Sequence, residues 1–124
     1  MRIIVALIAS FLLVSAPAFA QHKHGSKGPN GGQMEDVAGV HAEMLATGNT
    51  ITFNVFDEDN KPIKTTGFSG SVLVVSGGER ETVQLVVSGE ALKAETKKPV
   101  AKGSSVTLLI KTDTNKTGQA KFSQ

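Results

Sequence analysis

The chain has no cysteine, no tryptophan and no tyrosine in its 124 residues. Without cysteine there is no thiolate catalysis, no thiol redox chemistry and no cysteine-bound zinc or iron–sulfur centre. Any metal must be held by nitrogen, oxygen or thioether sulfur. Small exported domains often rely on disulfides; this one must hold together through an apolar core alone. The missing indole and phenol rings remove most of the stacking surface that single-strand nucleic-acid binders use. A strong excess of one charge is lacking too. Thirteen basic residues face eleven acidic ones, which leaves no electrostatic footprint for nucleic acid or anionic lipid.

Several catalytic and binding motifs are also absent. There is no Gly-Lys dipeptide, hence no phosphate-cradling Walker loop, and no Gly-x-Ser-x-Gly nucleophile elbow. Asp57-Glu58-Asp59 begins like a calcium loop, but the loop glycine is missing and Phe68 stands where the closing glutamate belongs. It reads as a solvated turn. With two of three histidines in a polar N-terminal stretch, a catalytic triad would depend on His41 alone. The sequence therefore points away from an enzyme.

The one long apolar run, Ile3 to Val14, is 12 residues and falls short of the roughly 20 that span a bilayer. Arg2 precedes it and Ala18-Phe19-Ala20 follows it, the pattern of a cleaved secretory signal over residues 1–20. Cleavage there removes 20 of the 124 residues and leaves a single domain of 104, periplasmic or secreted, that begins at Gln21. No membrane span is expected.

Residues 21–32, Gln-His-Lys-His-Gly-Ser-Lys-Gly-Pro-Asn-Gly-Gly, contain nothing apolar to bury and read as a mobile arm. From Gln33 onward short alternating runs are separated by turn residues. His41–Ala46 leads through Gly48-Asn49 into Thr50–Phe56, where Ile51, Phe53 and Val55 share one side. Ser71–Val75, a Gly77-Gly78 turn and Glu81–Val87 form a second pair. Ala91–Thr96 and Ser105–Ile110 form a third, with Gln119–Phe122 as a closing edge. No stretch after the signal has helical periodicity. The expectation is an all-β fold: one small antiparallel β-sandwich, Ig-like or Greek-key, of about seven strands over residues 33–124.

The three histidines are where chemistry can reside. His22 and His24 stand at the second and fourth positions of the expected mature chain, beside the α-amine of Gln21. Amine, deprotonated amide and imidazole nitrogens so placed suit the planar coordination of copper(II), which heads the divalent affinity order. Against this stand two points: the best-known terminal copper arrangement has histidine at the third position, and an N-terminal glutamine can cyclise. The plain alternative is that His22 and His24 keep the arm soluble. His41 and Glu43, two apart on an expected strand, share a face and are placed to share a metal, or Glu43 to orient the imidazole. Met34 and Met44 are possible thioether ligands, with core filling the simpler reading for Met44.

Gly28-Pro29-Asn30-Gly31-Gly32-Gln33, Gly39-Val40-His41-Ala42-Glu43 and Phe56-Asp57-Glu58-Asp59-Asn60-Lys61-Pro62-Ile63 together resemble a small periplasmic β-sandwich domain. That domain occurs alone in short exported bacterial proteins and fused to the periplasmic adaptor subunits of heavy-metal efflux pumps. The shared pattern is a Gly-Gly turn, a His-x-Glu strand and an acidic turn followed by Lys-Pro, after an arm often rich in histidine. By this resemblance His41 and Glu43 carry over position for position, His22 and His24 only loosely. Members often have histidine before the Gly-Gly pair, where this chain has Asn30.

The reading from sequence is a periplasmic, non-enzymatic protein that binds or buffers a transition metal in metal resistance. Copper comes first, zinc or cobalt next, with a heavy-metal efflux complex as its partner. Gln21, His22, His24, His41 and Glu43 are the expected ligands. Imidazoles bind metal only when neutral, so affinity should fall below about pH 6.5. The alternative is a metal-independent module that docks on an envelope protein through a sheet edge.

Overall fold

The structure, a computed structural model, describes residues 26–124. Gln21, His22 and His24 lie outside the described residues, as does the expected signal segment. Among the described residues ten strands follow one another: β1 (Ser26–Lys27), β2 (Gln33–Val37), β3 (Val40–Thr47), β4 (Thr50–Phe56) and β5 (Ser69–Ser76). Then come β6 (Glu79–Gln84), β7 (Val86–Ser88), β8 (Ala91–Glu95), β9 (Ser105–Lys111) and β10 (Thr117–Ser123). No helix occurs among the described residues. One sheet has the order β1-β2-β3-β4-β8-β7 and the other β10-β9-β5-β6, every pairing antiparallel. The two sheets form the expected sandwich.

Alternation decides which face of each strand is buried. Ile51, Phe53 and Val55 of β4 and Val106, Leu108 and Ile110 of β9 turn inward from opposite sheets. Ala42 and Met44, Val72 and Val74, Leu92 and Ala94, and Phe122 complete the layer between them. The rings of Phe53 and Phe122 meet with centroids 5.4 Å apart at 59°, which ties edge strand β10 to the centre of the facing sheet. Met44 is therefore core.

Three expectations are corrected. The count of about seven strands rises to ten among the described residues because short pieces pair at the sheet margins. The expected single strand Glu81–Val87 breaks at Leu85, whose N–H donates to Gly70 O at 3.0 Å, and Val86–Ser88 crosses to pair with β8 in the other sheet. Of the arm expected over residues 21–32, the described part, 26–32, is structured: β1 pairs with β2, and Gly28–Gly32 closes a turn through Gly28 N–H to Gly32 O, 2.7 Å.

Candidate functional site

The hairpin that matters most turns on two residues. Ala38 (φ 51°) and Gly39 (φ 81°) both sit in the left-handed region, the two-residue turn whose twist matches a right-handed ribbon. It sets Val37 opposite Val40, Asp36 opposite His41 and Met34 opposite Glu43. On β3, Ala42 and Met44 face the core, so His41 and Glu43 face outward on the far side of the sheet. There they share the outer face with Asp36 and Met34 of β2 and Asn54 and Phe56 of β4.

An outward-facing row should be wet, yet Glu43 is wholly buried and Met34 and Phe56 nearly so. Two turns cover them. The Gly28–Gly32 turn lies on Glu43. Its carboxylate accepts the N–H of Asn30 (2.8 Å) and of Gly32 (3.0 Å) at Oε2, and the Asn30 side-chain amide (2.8 Å) at Oε1. Glycine is required here for close approach: a Cβ on Gly28 would strike the Glu43 carboxylate, and one on Gly32 would strike the backbone oxygen of Met44.

The second turn is the acidic one. Asp57 Oδ1 accepts the N–H groups of Asp59 and Lys61, both at 2.9 Å, and Phe56 bridges to Pro62. Asn60, at φ 60°, thereby reaches back over the sheet, and its Oδ1 lies 3.0 Å from His41 Nδ1. The other ring nitrogen, Nε2, lies 3.0 Å from Asp36 Oδ1. The His41 side chain is 25% exposed and that of Asp36 86%. The acidic segment is thus more than a solvated turn: it grips the histidine.

This geometry has a chemical consequence. Asn60 Oδ1 can only accept, so it holds the proton on Nδ1 and aims the Nε2 lone pair at the Asp36 carboxylate. Nε2 and the carboxylate oxygen, 3.0 Å apart, are close enough to share a proton. As a surface contact, with Asp36 86% exposed, it is worth at most about 1 kcal/mol. A metal would need the pair only slightly wider, since bonds of about 2.0–2.2 Å at a tetrahedral angle set N and O roughly 3.3 Å apart.

Glu43 does not act on His41: among the described residues no hydrogen bond joins them, and its oxygens are taken by Asn30 and Gly32. Asn30 is part of that clasp through its backbone N–H and its side-chain amide. Sequence reasoning missed Asp36 and Asn60. Counting outward from the Ala38-Gly39 turn would have found Asp36; nothing local points to Asn60. Among the described residues no three His, Cys, Asp or Glu side chains cluster closely enough to form a metal group by themselves. No family model matches the chain, and no curated protein or solved structure matches it.

Proposed function

We propose that this chain is a non-enzymatic, exported bacterial protein that binds or buffers a transition metal in the periplasm. Copper is the first candidate, zinc or cobalt the next, and the setting is metal resistance beside a heavy-metal efflux complex. One observation carries the proposal: His41 is fixed by Asn60 through Nδ1 while Nε2 lies 3.0 Å from a carboxylate. An outer-shell carbonyl that fixes the tautomer, with the free nitrogen turned to a second ligand, is how proteins prepare histidine for metal. The resemblance over Gly28–Ile63 supports the same reading, because its three motifs converge on this one face. The nitrogen donors of Gln21, His22 and His24 supply further ligand capacity upstream of β1.

The test is calorimetric titration of protein purified from the periplasm of an expressing host, its N-terminus read by mass spectrometry. Submicromolar binding of copper(II), with weaker binding of zinc or cobalt, is the expected outcome. No heat of binding with any of the three contradicts the proposal.

A second reading is favoured by a different surface. Val86 and Val87 on edge strand β7 are 65% and 42% exposed, an apolar margin with free backbone groups that another strand can pair with. On this reading the protein docks on an envelope partner without metal, and replacing Val86 by lysine would abolish that docking.

A further inference from the structure

Acidic and basic residues nearly balance over the chain, but they are segregated over its surface. On the smaller sheet Val72, Val74, Val106, Leu108, Ile110 and Phe122 face the core. Their neighbours along each strand therefore face outward. The register sets those neighbours in rows: Leu109 lies between Ser71 and Gln119, Leu73 between Thr107 and Thr82, and Val75 between Ser105 and Arg80. Leu109, Leu73 and Val75 thus form one diagonal apolar stripe, with Leu109 43% exposed. Lys111 ends β9, and Lys121 and Arg80 stand on the two edge strands, β10 and β6. Every other outward position on the four strands is serine, threonine or glutamine, so the face carries cations and no carboxylate.

The acids nearest to this face are drawn to the other side. Glu79 and Glu81 flank Arg80 on β6 but project from the opposite face of the sheet. There Glu81 accepts the N–H of Lys97 at 2.9 Å, and Glu79 pairs with Lys98 at 3.1 Å. Among the described residues Arg80, Lys111 and Lys121 form no ion pair.

We propose that the outer face of the smaller sheet docks on an anionic phospholipid surface. Cations around an apolar stripe are the arrangement of interfacial binding: the charges attract, and the apolar side chains enter the head-group layer. Arg80 and Lys121 are three strand spacings apart, about 14 Å, too wide for one anion and suited to a plane of them. A protein partner holds its site through large side chains seated in desolvated pockets. Here the side chains are mostly short, and a shallow hollow of about 420 Å³ is bounded by Leu109, Lys111, Thr117 and Gln119. Ammonium, hydroxyl and amide donors beside a leucine suit a phosphodiester head group and the root of its acyl chain. The face is on the far side of the sandwich from His41, so this docking stands independently of the metal-binding reading.

The experiment sediments protein purified from the periplasm of an expressing host with vesicles, at low and at high salt. Vesicles of equal parts phosphatidylglycerol and phosphatidylcholine should carry the protein down at low salt, and high salt should release it. Vesicles of phosphatidylcholine alone should leave it in solution. Each cation is worth roughly fivefold in partitioning to an anionic surface, so R80Q/K111Q/K121Q should bind roughly 100-fold more weakly. L109S should weaken binding without changing its salt dependence. The control K27Q/K61Q/K93Q removes the same charge from the larger sheet and its turns, and should bind as the unchanged protein does. Each variant is checked for an unchanged circular dichroism spectrum. Equal loss in the two triple variants, equal binding to the two kinds of vesicle, or no sedimentation with the anionic vesicles would each overturn the proposal.

Discussion

Asn30 holds Glu43 through both carboxylate oxygens, its backbone N–H donating to Oε2 and its side-chain amide to Oε1, each at 2.8 Å. A carboxylate without access to water is thereby satisfied by neutral donors alone, Gly32 N–H supplying the third bond. The clasp fixes the chain just downstream of β1 against the outer face of the larger sheet.

Replacing Glu43 by glutamine keeps the shape but puts an NH2 group opposite an N–H donor. Hydrogen bonds to a charged acceptor are worth about 1.5–3 kcal/mol and a stranded buried donor costs about 1–3 kcal/mol. Glu43→Gln should therefore lower unfolding free energy by about 3 kcal/mol. Urea denaturation followed by circular dichroism checks this, and an unchanged midpoint would show the clasp to be dispensable.

Gly32→Ala tests the same turn sterically. The added methyl meets the backbone oxygen of Met44 and the side chain of Leu45, and backbone in a paired strand has little room to yield. A loss of about 1–3 kcal/mol is expected, the usual range for overpacking. Amide exchange should quicken first at Ser26 and Lys27, whose pairing depends on the turn.

With no disulfide, the core carries the stability. Phe122 is buried on an edge strand and packs on Phe53. Phe122→Ala should cost about 3–5 kcal/mol, a large part of the 5–15 kcal/mol typical of a domain. Thermal unfolding should then begin near room temperature, with β10 the first strand to lose protection.

Asn60 has no apparent role in the core, and its left-handed backbone suits glycine. Asn60→Gly should leave the fold intact while freeing the His41 ring to rotate. Metal affinity should drop roughly 10- to 100-fold, as for the loss of other outer-shell partners. An equal affinity in the variant would mean that His41 is no ligand.

Where one face is dry and the other wet, alternation in the sequence located the strand: Thr50–Phe56 and Ser105–Ile110 lie within β4 and β9. It was silent on β2 because both faces there are covered. Val37 is buried in the sandwich and Met34 under the outer face, three residues apart, so no period of two appears. The pairing of His41 with Glu43 as ligands was a local inference. Glu43 instead answers to a turn 11 to 13 residues upstream, and His41 to Asn60, 19 residues downstream. Those contacts depend on two turns folding back over a sheet, which spacing along a strand does not encode.

The most direct test of the account is a crystal of the exported protein grown with zinc, with anomalous scattering recorded at the zinc edge. The account predicts one strong peak between His41 Nε2 and Asp36, at about 2.0–2.2 Å from each ligand atom, with Asn60 still on Nδ1. A map in which that position is empty, while zinc is present in the crystal and His41 keeps its contacts, would contradict it.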